Sequence, residues 1–171
     1  MIKHKILIAI LFATSATFAN AELKINKVDA KGINSNIGSI AVKDSSYGLV
    51  LTPKLSNLPP GLHGFHIHEN PSCDAQEKDG KMVAAQAAGE HFDPQRTNKH
   101  DEPWGDGHLG DLPPIYVDAA GNASQPVLAP RLKVADLAGH SIMIHAGADN
   151  HSDHPLPSGG GGERVACGVM K

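Results

Sequence analysis

The stretch Gly64-Phe65-His66-Ile67-His68-Glu69 limits what this chain can become more than any other. It alternates, and a period of two is the signature of a β-strand. His66 and His68 then project from one face, Phe65 and Ile67 from the other. Two imidazoles side by side on a rigid strand make half of a metal site. The plain alternative is a strand whose wet face happens to carry two histidines.

The surrounding chain reads as all-β. Leu23 to Val28 alternates, and Ile37 to Val42 and Leu49 to Leu55 are further apolar or alternating runs. Gly32, Asn34, Asn36 and Asp44-Ser45-Ser46 separate them as turns, and Pro59-Pro60-Gly61 breaks the chain before the histidine strand. Ile115 to Val117, Pro126 to Pro130 and Leu132 to Val134 read as short strands and connections. Ser141 to His145 is a buried strand ending in a histidine, and Arg164 to Val169 is the last strand. One short helical turn is expected over Asp136 to Gly139. Helical periodicity is otherwise nearly absent, which favours antiparallel strands over a βαβ arrangement. Glu69 to Pro114 shows no period at all. So long a loop inside one compact domain needs something besides a core to hold it.

The first 21 residues stand apart. Lys3 and Lys5 form a basic start, Ile6 to Phe12 is apolar, and Ala19-Asn20-Ala21 is a small-residue cleavage signal. The apolar run is too short to span a bilayer. Cleavage is therefore expected before Glu22, leaving residues 22–171 as one exported, soluble domain with no membrane segment. Without Lys3 and Lys5, 13 basic residues face 18 acidic ones, a net charge of −5 with histidine neutral. That argues against a nucleic-acid binder. Export also changes how Cys73 and Cys167 read, because disulfides persist outside the cytosol. Two cysteines allow one intramolecular bridge; the alternative is two separate buried thiols.

The long loop carries His91, His100, His108 and Asp111, an H-x8-H-x7-H-x2-D pattern. Three imidazoles and a carboxylate are a sensible closed set for tetrahedral zinc, and such a site couples metal binding to folding of the loop. His66, His68 and His145 come instead from two strands. Three or four imidazoles suit copper, because Cu(II) favours tetragonal nitrogen ligation.

Four stretches in order carry a family resemblance: Gly64 to Glu69, His91-Phe92-Asp93-Pro94, Gly107-His108-Leu109-Gly110-Asp111-Leu112, and Arg164-Val165-Ala166-Cys167-Gly168-Val169. Together with His145 and both cysteines they resemble the exported bacterial copper–zinc superoxide dismutases, across essentially the whole mature chain. The resemblance implies an eight-stranded Greek-key β-barrel or flattened, immunoglobulin-like sandwich with two functional loops. It implies one copper and one zinc per chain, superoxide as substrate and a periplasmic location. His66, His68, His91 and His145 match the copper ligands. His91, His100, His108 and Asp111 match the zinc ligands, so His91 would bridge both metals. Asp149 matches the carboxylate bonded to one ligand of each metal, expected to be His66 and His100. Cys73 and Cys167 match the family disulfide, and Arg164 the cation that orients the anion beside copper. A tryptophan of the long loop lies at the subunit contact of dimeric bacterial relatives, so Trp104 points to a homodimer, with a buried loop anchor as the alternative.

Lys78 and Lys81, on the loop before His91, are candidates for steering superoxide, with solvated loop lysines as the alternative. Glu90 and Glu163 depart from the pattern beside His91 and Arg164 and are expected to weaken the local positive field. His63 is out of phase with His66 and is expected to be structural. His140 is placed in a turn; His151 and His154 lie near Asp149 and read as exposed loop histidines, with an adventitious metal site as the alternative. Gly159 to Gly162 is not a phosphate loop, because no Lys-Ser/Thr and helix follow; it reads as a turn passing close to the active channel. Two other function classes compete with the enzyme reading. A metal reservoir needs no guiding arginine, and a zinc hydrolase needs an open zinc position that the H-x8-H-x7-H-x2-D set does not leave.

Overall fold

The computed structural model describes residues 20–170. The signal-peptide reading lies almost wholly outside them. Eleven strands are formed among the described residues: β1 Asn20–Asp29, β2 Gly32–Ser45, β3 Gly48–Leu55, β4 Gly61–His63, β5 Phe65–His68, β6 Gln76–Lys78, β7 Lys81–Val83, β8 Ile115–Val117, β9 Val127–Ala129, β10 Ser141–His145 and β11 Arg164–Val169. Seven of them make one antiparallel sheet in the order β5-β10-β11-β1-β2-β3-β9. β4 pairs with β8. Between β4 and β5 stands Gly64, whose N–H donates to the Gly147 carbonyl while its own carbonyl accepts from His145 N–H. Taken as one strand broken at Gly64, β4 and β5 join β8 to the main sheet. Eight strands then curl around the core, and the expected Greek-key count is reached. β6 and β7 are an extra hairpin in the long loop, read above as structureless. Its Gln76-Glu77-Lys78 and Lys81-Met82-Val83 arms carry too little apolar alternation to announce it. The helical turn falls at Val134–Leu137, two residues earlier than expected, and Leu132 to Val134 forms no strand.

One apolar cluster fills the interior. Leu23 and Ile25 from β1, Ile40 and Val42 from β2, Leu49 and Leu51 from β3, and Ile142 and Ile144 from β10 are all essentially inaccessible. Phe65 and Ile67 are fully buried on the core side of β5. Burying each stabilises the fold by about 1.5–3 kcal/mol. That fixes the register of β5, because a slip of one residue would drive two imidazoles into the core instead. The core therefore decides which way His66 and His68 face.

Candidate metal centre

The two edges of β5 have different neighbours. One edge pairs with β10, which ends at His145. The other is met by the long loop: Ile67 N–H donates to Gly110 O (2.9 Å), and Phe92 N–H donates to Ile67 O (2.8 Å). These bonds set His91 opposite His68 and Asp111 opposite His66. Gly110 must lack a side chain here, since a Cβ would lie 2.3 Å from the Ile67 carbonyl oxygen.

His66, His68, His91 and His145 each bring a ligand atom to within 4.8 Å of the others, and all four are buried. The outer nitrogens of three are occupied. His66 Nε2–H donates to Asp149 Oδ2 (2.6 Å), His68 Nδ1–H to Gly89 O (3.0 Å) and His145 Nδ1–H to Gly162 O (3.0 Å). That sets the tautomers and leaves His66 Nδ1, His68 Nε2 and His145 Nε2 buried without a hydrogen-bond partner. Orphaned polar atoms are rare in folded interiors, and three aimed at one point fit a shared cation. Burial holds these imidazoles neutral. It lowers His66 and His68 well below the ordinary value, with neighbouring His91 adding to it, and brings His145 down to about 4. Neutral nitrogen lone pairs are what copper requires.

The second group gathers on one carboxylate. His91 Nδ1 and His100 Nδ1 lie 2.9 Å from Asp111 Oδ1, and His108 Nδ1 lies 3.3 Å from the same atom. By ligand-atom spacing alone His66 groups with His91, His100 and Asp111 in place of His108. His66 enters by stacking on His91, with ring centroids 4.0 Å apart. Its Nε2 is already given to Asp149, so His108 is the chemically available fourth donor. Burial opposes ionisation of Asp111, but bonds from His100, His108 and His91 overcome it and hold the carboxyl well below the usual carboxylate range. A permanent carboxylate and three imidazoles fit zinc. His91 belongs to both groups, with Nδ1 toward Asp111.

Asp149 joins the two. Its Oδ2 accepts from His66 and its Oδ1 from His100 Nε2–H at 2.9 Å. Burial lowers His100, yet the two carboxylates it faces, Asp111 and Asp149, outweigh this and carry it up to about 9. Gly159, at φ 77°, packs against the carboxylate; a Cβ there would lie 2.1 Å from Asp149 Oδ1. Only glycine lets the 158–160 turn close over this contact.

Above His68, His91 and His145 opens a cleft lined also by Arg164, Lys78, Glu90, Glu163, Gly161 and Gly162. Arg164 is half-buried. Its Nη1 donates to Ala85 O (2.8 Å) and its Nη2 to Gly89 O (2.6 Å). Gly89 O thus orients both the guanidinium and His68. Burial lowers the Arg164 pKa slightly and the Glu90 charge opposes that; the group stays cationic. Lys78 Nζ lies 3.7 Å from Glu90 Oε1 at the rim. Lys81, its hairpin partner, is not among the lining residues.

The pattern of neutral histidines predicts how the metal-free protein responds to pH. Unfolded, His145 takes up a proton near 6.5; folded, it does so only near 4. The unfolded state therefore binds more protons across this window, and stability falls as pH drops from 6.5 to 4. Calorimetric melting of metal-free protein should show this decline; copper and zinc should raise the melting temperature but keep the decline with falling pH, because bound ligands stay deprotonated while the unfolded chain still takes up protons. A flat profile would mean that the imidazoles are hydrated.

The family description "Copper/zinc superoxide dismutase (SODC)" matches residues 36–170. The superoxide dismutase [Cu-Zn] of Pasteurella multocida is 59% identical over 152 residues, covering 88% of this chain and 82% of that protein. The Escherichia coli protein of the same description is 49% identical over 166 residues, 96% of each chain. The solved Cu/Zn superoxide dismutase from Brucella abortus superposes with a TM-score of 0.88 at 45% identity, over 90% of this chain and 100% of that one. The chain belongs to the copper/zinc superoxide dismutase family. The monomeric enzyme from Salmonella enterica is also similar, with a TM-score of 0.81 and 52% identity over 90% of this chain and all of that one.

In this member of the family, the structure buries His66, His68, His91, His100 and His145 together, with His108 partly exposed beside Asp111. It places Cys73 and Cys167 in a disulfide with Cα atoms 5.7 Å apart. His151 lies beside His100 and Asp149, with Nδ1 3.8 Å from Asp149 Oδ1. Trp104 is 66% exposed on the loop. Three supporting residues escaped the sequence reading in whole or part. His63 is buried with Nδ1 2.7 Å from His145 O and Nε2 2.8 Å from Pro59 O, so it braces the β10 end. His140 stacks on Phe92 and sits 2.8 Å from Glu69 O, bracing the end of β5. Arg131 grips the loop from below. A phase argument hints at His63, but nothing local marks the other two.

Proposed function

We propose that this chain dismutes superoxide to oxygen and hydrogen peroxide, with copper held by His66, His68, His91 and His145 and zinc by His91, His100, His108 and Asp111. The observation that carries this reading is the shared residue: two donor groups meet at His91, at the foot of a cleft that holds a fixed arginine. Copper, when bound, supplies alternating one-electron reduction and reoxidation. The chain supplies the rest. Arg164 binds and orients the anion, its guanidinium already fixed by two carbonyls and so requiring no reorganisation. His91 keeps Nδ1 toward Asp111 and would carry a proton on Nε2 to give to the peroxide product, whose second proton comes from solvent. Asp149 fixes the ring planes of His66 and His100. Zinc has no redox role and holds the loop and His91 in place.

Decay of a superoxide pulse, followed with metal-loaded protein, tests the reading. A second-order constant approaching about 10⁸–10⁹ M⁻¹s⁻¹ is expected. A rate at background with both metals bound would move the protein to metal storage.

Steering of the anion belongs to the same proposal. Focused positive potential raises association rates in clefts by about 10–10³-fold. Here Lys78 is partly cancelled by Glu90. E90Q should raise the rate about 2–5-fold at low salt, and K78Q combined with K81Q should lower it comparably, with both effects fading at high salt. Identical rates and salt slopes in all three proteins would remove the lysines from the mechanism.

Export to the periplasm through residues 1–21 and assembly as a homodimer complete the reading. Exposed Trp104 supports a self-contact, as do Leu62 and Tyr116, which are cross-strand partners on β4 and β8 and both about half exposed. Sedimentation of the mature chain and of W104A distinguishes dimer from monomer.

A further inference from the structure

We infer that Arg131 is a positioning residue of the zinc half of the site, acting through the main chain of the loop that carries His100, His108 and Asp111. Arg131 follows β9 at the edge of the main sheet, and its neighbour Leu132 is anchored in the core. Its half-buried guanidinium makes no ion pair among the described residues; it spends its donors on loop carbonyls. Nε–H donates to Pro103 O (2.9 Å), Nη1–H to Gly107 O (3.0 Å), and Nη2–H to the carbonyl of His108. One rigid planar fork thus spans both ends of the Pro103–His108 turn and ends on a zinc-ligand residue.

The loop has little else to hold that turn. Its backbone bonds in this region are Gly105 N–H to Glu102 O, His108 N–H to Lys99 O and Asp111 N–H to His108 O at 3.3 Å, with Gly110 bonded on either side to Phe92 O and Ile67 N–H. Asp101 N–H adds a bond to Asp111 Oδ2. Hydrogen bonds from a charged group are stronger than neutral ones, and a guanidinium loses little rotamer freedom in making several at once. Lysine offers one compact ammonium on a flexible stem and cannot match three carbonyls in this fork geometry. The clamp therefore fixes where the His108 backbone sits, and with it the approach of Nδ1 to Asp111. Residues that support metal ligands from behind commonly change affinity by about 10–100-fold when removed.

This inference rests on the zinc assignment made above, and its test separates the two. Zinc release from copper- and zinc-loaded wild type, R131K and R131M is followed with a chromogenic chelator. Cobalt placed in the zinc site reports ligand geometry through its visible spectrum. Zinc release about 10-fold or more faster in both variants, with a shifted cobalt spectrum, is the expected result. Wild-type release rates and spectrum in the variants would overturn the clamp, as would a lowered melting temperature of the metal-free variants with unchanged release and spectrum, which describes a plain brace. If R131M does not fold, R131K alone decides between these outcomes. If wild type itself shows no tetrahedral cobalt spectrum, it is the zinc-ligand assignment that fails.

Discussion

Replacing His66 with alanine is expected to abolish dismutation and leave zinc binding intact. His66 sits at the centre of the copper group, stacked on His91 and edge-on to His145 at 4.9 Å. Its loss removes one of four converging nitrogen donors. It also frees one oxygen of Asp149, whose other oxygen still holds His100. The strand itself should survive, because Phe65 and Ile67 set the register of β5 from the opposite face. The space left is lined by polar groups and can take up water, so the stability cost is smaller than for a cavity in the apolar core. The second-order rate should fall at least about 1000-fold, equivalent to about 4 kcal/mol of barrier. Zinc content and the cobalt spectrum of the zinc site should remain those of wild type. Retained activity would refute the copper assignment; loss of both metals would mean that the two halves cannot be occupied separately.

The ligands could be read from the sequence because each stands in a local pattern. His66 and His68 share a strand face by alternation, and His91, His100, His108 and Asp111 are spaced along one loop rich in turn residues. Most strands of the barrel were legible for the same reason, since one buried face imposes a period of two, but the count of eight came from the family resemblance, and Gly32, Asn34 and Asn36, read as turn residues, lie inside β2. The supporting contacts were not. Arg131 lies 23 residues from His108 and serves it through a backbone carbonyl, which no side-chain pattern records. His140 reaches the carbonyls of His68 and Glu69 across 72 and 71 residues. The β6–β7 hairpin was missed because it has almost no buried face: Gln76 to Lys78, Lys81 and Met82 are exposed, so hydrophobic patterning had nothing to act on. Sequence periodicity reports burial, and these features rest on hydrogen bonds.

The disulfide has the second large expected effect, and it acts on both stability and rate. Cys73 and Cys167 lie 94 residues apart in sequence. Closing so long a loop restricts the unfolded chain by about 4–5 kcal/mol, a large share of the about 5–15 kcal/mol that holds a domain together. The double variant C73A/C167A should therefore melt roughly 10–20 °C lower, at about 2–4 °C per kcal/mol for a chain of this size. Alanine is the right replacement, because both positions are buried and a serine hydroxyl would have to find a partner there. The bridge also has a local task. Both cysteines pack with Ala85 and Ala88, in the turn whose Ala85 and Gly89 carbonyls hold Arg164. Arg164 itself stands three residues before Cys167 on β11. Without the bridge the turn keeps only non-covalent ties to β11, its packing against position 167 and the two bonds from the guanidinium. Measured well below the new melting temperature, the superoxide rate should fall about 10-fold at low salt, the scale of a lost steering cation. A lower melting temperature with an unchanged rate would show that two carbonyls suffice to fix Arg164. A shift under about 3 °C would mean that the unfolded chain is already compact enough to make the closed loop nearly free of cost.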